Sequence, residues 1–210
     1  NGHNELILAN RNGRAVRFDE ETIRTMGRTA TGVRGMRLDG GDDAVVGMIV
    51  INDSENETVM VVSEEGYGKR SEVEDYRKTN RGGKGVKTLN ITDKTGRLVA
   101  IKNVTDDNDL MIINKSGIVI RLAVADCRVM GRATQGVRLI NLTKKNDVIA
   151  SVCKVMSSEL EASVEEESRS AFSQKSEEMK QDTSSPVYED ETPIDEVDST
   201  QVENPEEDNQ

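Results

Sequence analysis

Along residues 1–156 the apolar residues fall in short runs bounded by polar turns. Leu6 to Ala9, Val59 to Val62 and Leu110 to Ile113 are three of them. Each leads into a polar stretch that closes on glycine: Asn10-Arg11-Asn12-Gly13, Ser63-Glu64-Glu65-Gly66 and Asn114-Lys115-Ser116-Gly117. A second extended run follows, clearest at Ile118 to Leu122. This alternation predicts a β-hairpin, the glycine supplying the positive φ that closes a short loop. Past a second glycine, in Thr31-Gly32-Val33, Lys84-Gly85-Val86 and Gln135-Gly136-Val137, Met36 and Leu38, Leu89 and Ile91, Ile140 and Leu142 alternate with Arg37, Asn90 and Asn141. A period of two predicts a half-buried strand there. A fourth β-like run closes each unit: Ala44 to Ile51, Leu98 to Val104 and Val148 to Val155.

The two glycine landmarks keep register. Both sets are spaced 53 and then 51 residues apart. The chain is therefore expected to carry three repeats of about 50 residues with four short strands each, the pattern of propeller blades. The predicted boundaries are about 1–56, 57–107 and 108–156, in an all-β fold. Three blades do not close a ring. Either further blades lie upstream or the chain oligomerises; it opens at Asn1-Gly2-His3, without Met and in mid-pattern, which favours a piece of a longer protein with blades upstream.

Charge divides the chain in two. Residues 157–210 hold 18 acidic and 3 basic side chains, leaving 21 acidic and 25 basic on residues 1–156. The body is mildly basic and the tail strongly acidic. Ser, Gln, Pro, Glu and Asp dominate the tail, which buries too little apolar surface to offset chain entropy, so it is expected to be disordered. It either solubilises the protein or competes with a polyanion for the basic body.

Superposing the repeats aligns the basic residues in four columns. Arg17, Arg70 and Arg121 lie four residues after the hairpin glycine. Arg24, Arg77 and Arg128 lie eight before the second glycine, and Arg28, Arg81 and Arg132 four before it. Arg34, Lys87 and Arg138 lie two after it. Stacked blades would turn such columns into a stripe suited to phosphate, which guanidinium forks match bidentately. The second repeat is richest, in Arg77-Lys78-Thr79-Asn80-Arg81-Gly82-Gly83-Lys84-Gly85-Val86-Lys87, where glycines would let phosphate approach backbone N–H groups. The residues expected to meet DNA are Arg17, Arg28, Arg34, Arg70, Arg77, Arg81, Gly82, Gly83, Lys84, Lys87, Arg121, Arg132 and Arg138. The body's only aromatics are Phe18, Tyr67 and Tyr76, and Tyr76 aligns with Ile23 and Cys127, a core position. Without stacking platforms, duplex DNA is favoured over single strands. About six neutralised phosphates would give a log–log salt slope near −5.

Catalytic and metal chemistry find no residues here. His3 is the only histidine, and Cys127 and Cys153 make neither a disulfide framework nor a zinc spacing. Gly83-Lys84-Gly85 lacks the Ser or Thr of a phosphate-binding P-loop. Asp106-Asp107-Asn108-Asp109 lacks the glycine and closing glutamate of a calcium loop. No run approaches a membrane span.

Four stretches carry a resemblance over residues 4–156: Gly13-Arg14-Ala15-Val16-Arg17-Phe18, Thr31-Gly32-Val33-Arg34-Gly35-Met36-Arg37-Leu38, Gly66-Tyr67-Gly68-Lys69-Arg70 and Gly131-Arg132-Ala133-Thr134-Gln135-Gly136-Val137. Together they resemble the C-terminal DNA-wrapping domain of the larger chain of DNA gyrase (gyrase A), a bacterial type IIA topoisomerase. The resemblance implies a six-bladed β-pinwheel with strands exchanged between neighbouring blades, of which this chain is similar to the last three. It implies double-stranded DNA wrapped on the rim in support of ATP-driven negative supercoiling. It also implies a heterotetramer formed with a second copy of gyrase A and with gyrase B, in the bacterial cytoplasm at the nucleoid. No cofactor is expected on this fragment; ATP and Mg would belong to the rest of the complex. The family's box motif, Gln-Arg-Arg-Gly-Gly-Lys-Gly in the first blade, is kept here only in the last five positions of Thr79 to Gly85, in what resembles the fifth. Phosphate contact by Arg81 and Lys84 is implied, completion of the wrap is not. Two alternatives stand beside this reading: the corresponding domain of topoisomerase IV, and a propeller that binds protein partners.

Overall fold

The computed structural model describes residues 2–142 and 147–157; the expectation for the tail falls on residues 158–210, outside them. Eleven strands form among the described residues: β1 (Glu5–Asn10), β2 (Arg14–Asp19), β3 (Val45–Ile51), β4 (Thr58–Ser63), β5 (Tyr67–Glu72), β6 (Val86–Lys87), β7 (Leu98–Val104), β8 (Asn108–Asn114), β9 (Val119–Ala123), β10 (Val137–Arg138) and β11 (Ile149–Met156). They build three antiparallel sheets, ordered β3-β1-β2-β6, β10-β5-β4-β7 and β11-β8-β9. The hairpins β1–β2, β4–β5 and β8–β9 form as the glycine pattern predicts, with Gly13, Gly66 and Gly117 at φ of 73°, 76° and 84°. Each hairpin glycine donates its N–H to the residue three before it, at 3.1 Å.

The sheets do not coincide with the sequence repeats. β6 belongs to the second repeat but pairs with β2 of the first, Arg14 opposite Lys87 and Ala15 opposite Val86. β10 belongs to the third repeat but pairs with β5 of the second, Val137 opposite Gly68 and Arg138 opposite Tyr67. Each later repeat thus lends a strand to the sheet before it. The third sheet has three strands, and Val119 and Ile120 on its outer strand β9 are exposed.

This lending explains the second glycine. A Cβ on Gly85 would stand 2.3 Å from the carbonyl oxygen of Ala15, and one on Gly136 would stand 2.6 Å from that of Gly68. The lent segment passes so close to the neighbouring backbone that a side chain has no room. The strand expected after this glycine is corrected: only Val86–Lys87 and Val137–Arg138 join a ladder, and residues 33–38 form none. The alternation reflects burial: Leu89 and Leu142 pack in clusters shared with the preceding sheet, and Met36 on Leu6, Val16 and Phe18 of its own. The Thr88 and Leu89 N–H groups both donate to the carbonyl of Gly13, and those of Leu139 and Ile140 to the carbonyl of Gly66.

The core lies between sheets. Val59 and Val61 on one face of β4 pack with Ile7, Ala9, Ile49 and Ile51 of the first sheet, while Met60 and Val62 on the other face pack with Leu110, Ile112 and Val152 of the third. A strand covered on both faces reads as a continuous apolar run, which is how Val59 to Val62 appears. Tyr76 and Cys127 are buried where the repeats align them. Tyr76 shares its hydroxyl hydrogen bond with Thr88 Oγ1, and burial pushes its phenol up to about 12.

Candidate nucleic-acid interface

The four basic columns have different fates. The first turns inward. Arg17 and Arg70 lie on β2 and β5, each only 6 % exposed. Arg17 Nη1 donates to the carbonyls of Val73 (2.9 Å) and Tyr76 (3.2 Å), Nη2 to Glu74 (3.1 Å), and Nε to Glu5. Arg70 repeats this one blade on: Nη1 donates to the carbonyls of Val124 (3.0 Å) and Cys127 (3.4 Å) and to Asp106 (2.7 Å), and Nε to Thr58 Oγ1 (3.1 Å). Each guanidinium therefore rivets its strand to the 3-10 turn of the next blade, Val73–Asp75 or Val124–Asp126. Buried cations persist when such acceptors replace water. The expectation that Arg17 and Arg70 face DNA is corrected on this ground. Arg121, with no next blade's turn to meet among the described residues, is exposed and paired with Asp109.

The column of Arg28, Arg81 and Arg132 forms interblade clasps. Arg81 Nε donates to the carbonyl of Thr22 (3.3 Å) and its Nη1 to that of Arg34 (3.2 Å). Arg132 does the same to Asp75 (2.8 Å) and Lys87 (2.9 Å), the residues that align with Thr22 and Arg34. Both remain part-exposed, and their side chains hold the loop to the preceding blade. Arg28 is exposed and meets no such acceptor among the described residues. Gly82 is also committed, its N–H donating to the carbonyl of Gly35 at 2.6 Å, so the free amide expected there is corrected. Gly83 is half-buried and its carbonyl accepts from the Arg37 N–H at 2.8 Å.

In the column two residues after the second glycine, Arg34 is exposed with an unengaged side chain, while Lys87 donates to Asn90 (3.1 Å). Arg138 stacks over the Tyr67 ring at 5.4 Å from its centroid and donates to the phenol oxygen, at 2.9 Å from Nη2. That bond, with the nearby charges, lowers the Tyr67 phenol below its ordinary value.

The remaining column is the freest. Arg24, Arg77 and Arg128 follow two residues after the three 3-10 turns, are all exposed, and meet no ion-pair or hydrogen-bond partner among the described residues. For Arg77 the next residue fixes the direction. Lys78 bridges to the Arg17 backbone and sends its ammonium to Glu5 (2.5 Å) and Asp19 (2.9 Å), and successive side chains of an extended segment point oppositely. Arg77, with Thr79, Asn80, Gly83 and Lys84, lines a cavity of about 210 Å³ against Ala15 and Val16 of β2. Sequence reasoning placed Arg24 and Arg128 in this column but left them out of the expected contacts; their lack of carboxylates within reach is what the structure adds. Among the described residues no cluster of His, Cys, Asp and Glu could hold a metal, and no helix is long and apolar enough to cross a membrane.

Comparison with known proteins decides the family. The profile described as "DNA gyrase C-terminal domain, beta-propeller" matches residues 4–52, 57–105 and 108–153. The chain belongs to this family. The gyrase A protein of Staphylococcus aureus (strain NCTC 8325 / PS 47) is 44 % identical over 193 residues, covering 91 % of this chain and 21 % of that protein. The chain thus spans about a fifth of the length of the curated relatives it matches. Among solved structures, the C-terminal domain of DNA topoisomerase IV aligns with a TM-score of 0.70 at 27 % identity, over 79 % of this chain and 52 % of that one. A DNA gyrase A C-terminal domain aligns at 0.67 and 26 %, over 73 % and 51 %. The family likeness supports the propeller-like blades expected from the repeats and the β-pinwheel implied by the resemblance, and the exchange of β6 and β10 between neighbouring sheets fits it.

Proposed function

We propose that this chain binds duplex DNA along the rim formed by its interblade loops and bends it, as part of a gyrase A-type component of a type II topoisomerase. One observation carries the reading: Arg24, Arg77 and Arg128 recur at one repeat position, exposed and without carboxylate partners among the described residues. Arg34, Lys84 and Lys87 are exposed as well. Charges kept for solubility alone gain nothing from staying in register, whereas a duplex presents phosphates to each blade in turn. Phosphate contacts position the duplex without reading its sequence, so little base preference is expected. In the whole enzyme the wrapped segment would serve ATP-driven negative supercoiling in a heterotetramer of two gyrase A and two gyrase B chains. ATP, Mg and the cleavage chemistry would sit outside this chain, and the complex would work at the bacterial nucleoid in the cytoplasm. The blade limits near 56 and 107 are part of this proposal.

A second reading places the chain in topoisomerase IV, favoured by the 0.70 TM-score with that enzyme's C-terminal domain. The 44 % identity to a gyrase A protein weighs the other way. The test is binding to linear and nicked circular plasmid DNA over a salt series, with ligation of the nicked circles in the presence of the chain. A log–log slope near −5, from about six phosphates, and a shifted linking number are expected. Salt-insensitive binding, or ligated circles with unshifted topology, would overturn DNA wrapping.

A further inference from the structure

The first interblade junction gathers three cations around one carboxylate, with a fourth, Lys87, paired across the strands from one of them. Lys84 Nζ lies 2.8 Å from Asp39 Oδ1, and Arg14 Nε 3.8 Å from Asp39 Oδ2. Arg37 stands close enough, with those two, to hold the Asp39 carboxyl below its ordinary range, the Lys84 hydrogen bond contributing most. Arg14 is also the direct cross-strand neighbour of Lys87, a like-charge pairing that weakens a sheet, with the Lys87 ammonium turned to Asn90 (3.1 Å) and Arg14 Nη1 to the Gly85 carbonyl (3.3 Å). Asp39 is itself held from behind, its N–H donating to Asp43 at 3.1 Å.

The second junction has a neutral version of the same contact. Gln135 aligns with Lys84 and Thr92 with Asp39, and Gln135 Nε2 donates to Thr92 Oγ1 at 2.8 Å. The cross-strand pair there is Tyr67 with Arg138, and it holds a single cation. A latch between these positions therefore needs no charge. The ionic form at the first junction adds something the latch alone does not require. Its partners are also open to solvent, the Asp39, Arg14 and Lys84 side chains being 34 %, 32 % and 52 % exposed, so the pair can be exchanged.

We infer that Arg14, Arg37, Lys84 and Lys87 form an anion seat at the first junction, which the Asp39 carboxylate fills in the free chain and a phosphodiester of bound DNA takes over. The inference rests on the duplex-binding reading above. It makes Asp39 an internal competitor that weakens binding at this one junction, while the second junction, latched by Gln135 and Thr92, has none.

The test compares the full chain with Asp39→Asn and Lys84→Gln, singly and together, in binding to linear plasmid DNA over a salt series, with thermal unfolding of each. Asparagine keeps a carbonyl acceptor for Lys84 without the charge. Asp39→Asn is expected to tighten binding about two- to fivefold, the scale of one exposed ion pair, with an unchanged salt slope because the same phosphates are met. In the Lys84→Gln background the gain should fall close to onefold. A folded Asp39→Asn chain that binds no tighter, or a gain that survives Lys84→Gln undiminished, would overturn the seat. Loss of salt-sensitive binding already in the unsubstituted chain would overturn the duplex reading and the seat with it.

Discussion

Replacing Arg70 with methionine should cost stability and leave DNA binding intact, although the residue lies in a basic column. The guanidinium is buried and donates to four acceptors. Methionine fills much of the volume but donates nothing. Asp106 is 73 % exposed and returns to water, and Thr58 keeps its bond to the carbonyl of Val104. The carbonyl of Val124 keeps the Cys127 N–H at 2.9 Å, but that of Cys127 loses its donor beneath the surface. The loss is therefore on the order of 1–3 kcal/mol. A body of this size shifts by roughly 2–4 °C per kcal/mol, so Tm should fall by roughly 2–12 °C. Calorimetry gives that number, and plasmid binding well below the new Tm gives the affinity and its salt slope. An unchanged Tm together with a salt slope shallower by about 0.9, the loss of one phosphate contact, would refute the inward role of this column.

Three further outcomes follow from the same geometry. Changing Arg24, Arg77 and Arg128 to glutamine should leave unfolding unchanged and reduce the salt slope by about 0.9 for each phosphate lost; a large drop in Tm would show that these side chains are structural. Gly85→Ala should be much more damaging than Gly32→Ala. Both sit at positive φ, costing roughly 1–2 kcal/mol, but only at Gly85 does the new methyl meet a backbone oxygen at 2.3 Å, so equal unfolding curves would refute the close approach. Lys69 is 1 % exposed, its Nζ donating to the carbonyl of Gly131 at 2.6 Å, and burial lowers its ammonium to about 8. From about 8 up to the ordinary lysine value of 10.5, the unfolded chain binds a proton that the folded chain has released. This group's contribution to stability therefore rises with pH over that window and is flat below it. Denaturant unfolding of the chain and of Lys69→Met should diverge across the window; a pH-independent difference would contradict the assignment.

Hairpins and repeat length were legible because their causes are local. A glycine at the end of a polar turn and a period of two report on residues a few positions apart. The origin of the second glycine was not local: Gly85 is required by the carbonyl of Ala15, 70 positions away. Arginine columns were ambiguous for a related reason. Arg17 aligned with Arg70 reads the same whether the guanidinium meets solvent or the carbonyls of a neighbouring turn. One signal did distinguish them, since Arg17 is flanked by Val16 and Phe18 on a strand buried on both faces, while Arg24, Arg77 and Arg128 follow turns. The glycine loop expected to approach phosphate divides in the structure. Lys84 is exposed, but Gly82 and Arg81 are bonded to the preceding blade, which only the three-dimensional neighbour reveals.

The lending of β6 and β10 sets how the body comes apart under load or heat. A string of self-contained repeats would behave as separate springs, each yielding at its own threshold. Here the first sheet keeps its fourth strand only while the second repeat is folded, and the second sheet only while the third is. Nearest-neighbour terms therefore weigh heavily against each repeat's own stability, as in strongly coupled one-dimensional arrays. Tension applied along a bound duplex would pass from blade to blade through these lent strands and the buried arginine rivets, so the rim yields as one piece. If the rim bends a duplex as proposed, this coupling sets it against the springy polymer as one body.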